Sequence, residues 1–145
     1  MSEQVRVGVI GASGGMGKRR VQQFFVNARS TVTVACARDI RRLAEAVPEK
    51  DIRLVAHAED ITNDPDVDAV VISVPNTLHY AHVKQALLAG KHVLCEYPLT
   101  NSLAQYDELV NLARSRGLIL HHALTPRAES LHRTMKEALQ GLGEP

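Results

Sequence analysis

The sequence predicts a doubly wound α/β domain on a parallel sheet, and three observations predict it. Val- and Ile-rich runs recur along the chain and are apolar on consecutive residues, the pattern of strands buried on both faces. Segments of helical spacing separate them, and strand-helix alternation demands crossovers that return each strand to one sheet. The first run ends in a turn holding Gly11, Gly14, Gly15 and Gly17, immediately before a helix.

In chain order, the first strand covers Val5–Ile10 and the first helix Gly15–Ala28. A second strand over Val32–Ala37 precedes a helix over Ile40–Val47, and a third strand follows at Ile52–Ala56. The fourth strand, Ala69–Val74, leads into a helix over Leu78–Ala89 that Gly90 stops. After the fifth strand, His92–Glu96, Ser102 and Gln105 make a capping box for a helix over Ser102–Arg116, which Gly117 ends. A sixth strand over Leu118–His121 and a helix near Pro126–Leu139 complete the pattern, and Gly141-Leu142-Gly143-Glu144-Pro145 follows where a new element is expected.

A length of 145 residues suits a single hydrophobic core, so residues 1–145 read as one domain. The chain is 45% hydrophobic and 23% charged with net charge +1, a globular balance with no field to draw in nucleic acid or an anionic membrane. Aromatic residues make up 3%, too few for a base-stacking surface. Cys36 and Cys95 form no CxxC pair, which points to a reducing compartment, and the apolar run in MSEQVRVGVIG is too short for a signal peptide core or a membrane span. A cytoplasmic protein is the expectation.

Gly11-Ala12-Ser13-Gly14-Gly15-Met16-Gly17 has GxxGxxG spacing. Its first glycine permits a tight turn, the second lets a pyrophosphate approach the backbone, and the third lets the helix pack close to the strand. Unpaired N–H groups at the helix start, offered by the backbone from Ser13 through Gly14, Gly15 and Met16, favour phosphate. The motif therefore predicts a Rossmann-type dinucleotide site. At the end of the second strand, where an acidic residue would hold a ribose 2′-OH, the chain has Arg38, a planar clamp for a 2′-phosphate. That favours NADP, with Lys18, Arg19 and Arg20 adding to the field, while Asp39 keeps NAD as the alternative.

Ligands of open parallel sheets sit at the carboxyl ends of strands. Pro75, Asn76 and His79 after the fourth strand are thus expected around the nicotinamide half, with Thr77 as a helix cap. Glu96, Tyr97 and Pro98 close the fifth strand at the reacting end. His121 and His122 end the sixth strand and are candidates for contact with cofactor or substrate. His79 and His82 share a helical face, yet no third ligand has suitable spacing, so no metal site is predicted. Both cysteines read as small core residues.

The segments GKHVLCEYPLT, VISVPNTLHYAHVKQALLAGKHV and ALQGLGE, together with the glycine turn, resemble the nucleotide-binding domain of the glucose-fructose oxidoreductase and inositol dehydrogenase (Gfo/Idh/MocA) family. The resemblance implies an NAD(P)-dependent oxidoreductase that passes hydride between nicotinamide and a small substrate. In that family the Glu96-Tyr97-Pro98 block usually reads Glu-Lys-Pro, so Glu96 and Tyr97 are the implied catalytic pair. A phenol donates a hydrogen bond and a proton but carries no fixed positive charge. The tyrosine variant is similar to that of biliverdin reductases, which leaves an open-chain tetrapyrrole beside a sugar or polyol as substrate class. The stretched glycine turn resembles that of dihydrodipicolinate reductases, so Gly11, Gly14 and Gly17 carry over as a group. Family members continue past the GxGE turn into a substrate domain with no counterpart here. The chain is therefore expected to be the cofactor domain of an oxidoreductase, with a stand-alone, non-catalytic nucleotide-binding or interaction module as the alternative. A sheet face left open by that domain would favour pairing of chains into a homo-oligomer.

Overall fold

The structure, a computed structural model, describes residues 4–123. The expected helix over Pro126–Leu139 and the closing glycines lie outside the described residues. Strands β1 (Val5–Ile10), β2 (Ser30–Cys36), β3 (Arg53–Val55), β4 (Ala69–Ile72), β5 (His92–Glu96) and β6 (Leu120–Ala123) form one sheet in the order β3-β2-β1-β4-β5-β6. Every neighbouring pair is parallel, as the doubly wound prediction requires.

Helices cover both faces because consecutive residues of the inner strands are apolar. Val9 and Val71 join an apolar layer with Val21 of α1 (Gly15–Phe25) and Leu43 of α2 (Ile40–Ala46). Their neighbours Ile10 and Ile72 face the opposite layer. There they meet Ile61 of α3 (Glu59–Thr62), Val83 of α4 (His79–Leu88) and Leu109 of α5 (Leu103–Ser115). Each such side chain contributes about 1.5–3 kcal/mol when fully buried, so the two layers together supply much of what holds the domain folded.

Element ends follow local chemistry, with some corrections. Gly90 and Gly117 have φ of 77° and 65°, the left-handed stops expected after α4 and α5. Ser102 Oγ accepts the Gln105 amide at 3.5 Å, but the return half of the capping box runs through Thr100. Thr100 Oγ1 accepts the Ser102 amide at 3.1 Å and donates to Gln105 Oε1 at 2.7 Å. Thr77 is not a cap: it lies inside the short 3₁₀ turn Asn76–Leu78 with no capping bond. The sixth strand lies two residues later than expected, because its ladder to β5 runs from Leu120 opposite Val93 to Ala123 opposite Glu96. Helix α3 has no counterpart among the expected elements, since four residues are too few to show a helical period.

Candidate dinucleotide site

The order of strands reverses between β1 and β4, and a cleft opens there at the carboxyl ends of β1, β2 and β4. Its volume is about 360 Å³, of the size that holds part of a small ligand.

Gly11 makes the turn out of β1. Its φ is +87°, and a Cβ there would lie 2.3 Å from the Ser73 carbonyl oxygen, so a side chain is excluded on both counts. Its amide and that of Ala12 donate to the Cys36 carbonyl at 2.9 and 3.0 Å, tying the turn to β2. These two donors are therefore spent on the protein itself. The amides that open α1 behind its N-cap Gly14 have no acceptor within the helix, and they are the donors left for an anion. Gly17 works by close approach, because a Cβ there would sit 2.0 Å from the Gly11 carbonyl oxygen. A built Cβ on Gly15 meets nothing, so the space beside the helix start is open.

After β2, Arg38 is exposed on the cleft lining and joins no ion pair among the described residues. Asp39, the residue that kept NAD in contention, is committed elsewhere. It is the N-cap of α2, and its Oδ1 accepts the amides of Arg41 and Arg42 at 3.0 and 3.1 Å. Lys18 and Arg19 are exposed, but Arg20 is not available to a 2′-phosphate. Its guanidinium grips Glu96 twice, Nε to Oε1 at 2.6 Å and Nη2 to Oε2 at 3.2 Å, with the two side chains 11% and 14% exposed.

Of the residues expected on sequence grounds, the cleft gathers Gly11, Ser13, Gly14, Arg38 and Pro75. Gly15, Met16 and Asn76 are exposed and lie off its lining, and Gly17 is buried behind it. His79 is a correction in role: it is fully buried, bonded to backbone carbonyls, and lines no part of the cleft. Glu96 holds Arg20, and Tyr97 stands outside the cleft at 64% exposure, with Pro98 half-buried beside it. His122 meets the Tyr97 ring edge-on at 6.3 Å, which places it beside that tyrosine. His121 points to a separate groove on the sheet, with Val5, Val71 and Leu94.

Sequence reasoning missed the connection after β3, where Ala56, His57, Ala58 and Glu59 complete the cleft wall. Only the rule that ligands gather at carboxyl ends of strands pointed toward it. Ser73 Oγ and His82 Nδ1, on two further lining residues, are buried without a partner among the described residues. Burial pushes His82 below its ordinary value, with Glu59 opposing and His79 adding to the push. The Cys36 thiol on the lining is pushed up to about 11 by burial and by Asp60 and Glu59, so it stays protonated and inert. Cys95 is pushed up to about 12, chiefly by burial. No group of three His, Cys, Asp or Glu residues suited to a metal ion occurs among the described residues. No helix among them is long and apolar enough to cross a membrane.

Comparison with known proteins bears on this arrangement. A dTDP-3,4-didehydro-2,6-dideoxy-α-D-glucose 3-reductase of Streptomyces antibioticus is 32% identical over 139 residues, 96% of this chain and 42% of that protein. A 1,5-anhydro-D-fructose reductase of Ensifer adhaerens is 43% identical over 88 residues, 59% of this chain and 26% of the relative. Among solved structures, biliverdin reductase from Synechocystis in complex with biliverdin and NADP+ superposes with a TM-score of 0.88 at 33% identity. That match covers 97% of this chain and 44% of the reductase. The 3-ketoreductase KijD10 of Actinomadura kijaniata, bound to NADP and TDP-benzene, gives a TM-score of 0.88 at 31% identity over 96% of this chain and 43% of its own. The chain thus spans less than half the length of these relatives. Residues 5–124 match the model of the oxidoreductase family with an NAD-binding Rossmann fold, and the chain belongs to that Gfo/Idh/MocA family.

Proposed function

We propose that this chain is the NADP(H)-binding part of a cytoplasmic oxidoreductase acting on a small molecule, a sugar or polyol or an open-chain tetrapyrrole. One observation carries the reading: the start of the first helix, with amides that have no acceptor within the helix, and an arginine that joins no ion pair among the described residues border the same cleft. Two anionic groups of one elongated ligand fit that layout, a diphosphate at the amides and a 2′-phosphate at Arg38. Ser73 Oγ, which has no partner among the described residues, supplies a further hydrogen-bonding group to such a ligand. Substrate classes follow from what related proteins act on, a sugar nucleotide in one and biliverdin in another.

When bound, the cofactor supplies the hydride. The chain's own residues hold and orient it. Backbone amides at the start of the first helix, those of Ser13, Gly15 and Met16 rather than that of Gly14, which donates to the Gly11 carbonyl at 3.2 Å, neutralise the diphosphate, Arg38 selects the phosphorylated ribose, and Pro75 shapes the wall of the cleft. Tyr97, exposed at the end of β5, donates a proton or a hydrogen bond to the substrate, and His122 orients its ring. Arg20 holds Glu96, which fixes the base from which Tyr97 projects. The test is calorimetric titration with NADPH and NADH. NADPH should bind more tightly, and Arg38→Ala should remove most of that preference, about tenfold to a hundredfold for a charge-assisted contact. Equal affinities in the unmutated chain would defeat the assignment of Arg38.

A further inference from the structure

His79 opens α4 and is 1% exposed. Both of its ring nitrogens face a backbone carbonyl, Nδ1 at 2.6 Å from the Pro98 oxygen and Nε2 at 2.9 Å from the Val74 oxygen. A carbonyl oxygen only accepts, whereas a neutral imidazole has one N–H and one lone pair. Either neutral tautomer therefore aims a lone pair at an oxygen in a place that water does not reach. Turning the ring over does not help, because it sets carbons where the nitrogens stand and forfeits both bonds.

We infer that His79 is an imidazolium in the folded protein, donating from both nitrogens, and that it is a positioning residue tying the Val74 loop after β4 to the Tyr97–Pro98 turn after β5. Burial of that charge is costly by itself, and two charge-assisted bonds to oxygens offset the cost. The 2.6 Å contact is short, in keeping with a charged donor. His82, one turn along α4, is the titratable neighbour that feels the ring: His79 acts with burial to keep His82 neutral, so the pair carries one charge rather than two. One loop so tied contributes Pro75 to the cleft, and the other carries Tyr97. The charge is bonded to the residue that follows Tyr97. That the latch serves a reacting end rests on the oxidoreductase reading above; the protonation state does not.

The experiment is a long-range proton–nitrogen correlation spectrum of the uniformly ¹⁵N-labelled chain, with the His79 ring assigned through its own backbone correlations. Both ring nitrogens should show the protonated shift with an attached, slowly exchanging proton between about pH 6 and pH 8. One nitrogen at the unprotonated shift throughout would overturn the inference, and would leave the oxidoreductase reading standing if NADPH still binds. A doubly protonated ring in a chain that binds neither coenzyme would do the reverse. His79→Gln keeps donors without the charge; it should weaken NADPH binding roughly fivefold and shift the Tyr97 ring resonances. Unchanged affinity and unchanged Tyr97 resonances in that variant would remove the positioning role.

Discussion

Replacing Arg20 by methionine leaves the Glu96 carboxylate without its cation in a place where water reaches little of it. The two side chains are 11% and 14% exposed, and the carboxylate accepts two bonds from one planar fork. An exposed pair would be worth about 0–1 kcal/mol, whereas removing one partner of a buried pair costs about 3–5 kcal/mol, much of it the stranded charge. Against a domain stability of about 5–15 kcal/mol, the single variant loses a large share of its margin and melts roughly 10 °C lower. Changing both residues to methionine removes the charge together with its partner and should return to within about 1 kcal/mol of the parent. Urea unfolding of the four proteins of the cycle, followed by circular dichroism, measures the coupling directly. Additive single effects, or an Arg20→Met cost below about 0.5 kcal/mol, would refute the view that this pair joins the first helix to the end of β5.

Gly17→Ala sets a Cβ 2.0 Å from the Gly11 carbonyl oxygen and 2.8 Å from Ala12 Cα, both backbone atoms that cannot swing away. The turn must shift, and NADPH affinity should fall at least tenfold with a loss of about 1–3 kcal/mol in stability; calorimetry that finds both unchanged would contradict the close-approach argument. Arg6 holds the Asp68 carboxyl below its ordinary value, chiefly through hydrogen bonds from its guanidinium and then from its amide, with burial opposing. A lowered folded value means that Asp68 stabilises the fold above its unfolded value near pH 3.9 and that the benefit is lost as pH falls through the lower folded value. With side chains 35% and 37% exposed the effect is modest, so Asp68→Asn should lower the neutral plateau slightly and flatten the acid limb of stability. Urea midpoints between about pH 2 and pH 6 check it.

Parallel strands, helix stops and the glycine turn were legible in the sequence because each depends on a few neighbouring residues. Val9 beside Ile10 is apolar on both faces wherever the strand is placed, and a left-handed Gly117 ends a helix through its own φ. The residues Gly11, Gly14 and Arg38 could be assigned to one site because a doubly wound fold always gathers the carboxyl ends of its strands. Packing decided the rest. Arg20 and Glu96 stand 76 positions apart, and which of three adjacent basic residues reaches β5 depends on the rotation of α1 against the sheet. His79 read as a cofactor contact by its loop, yet the approach of Pro98, 19 positions later, turned it inward. Local sequence sets periodicity, backbone preference and residue chemistry; which charges and donors meet is set by strand register and helix crossing, which no short stretch of chain encodes.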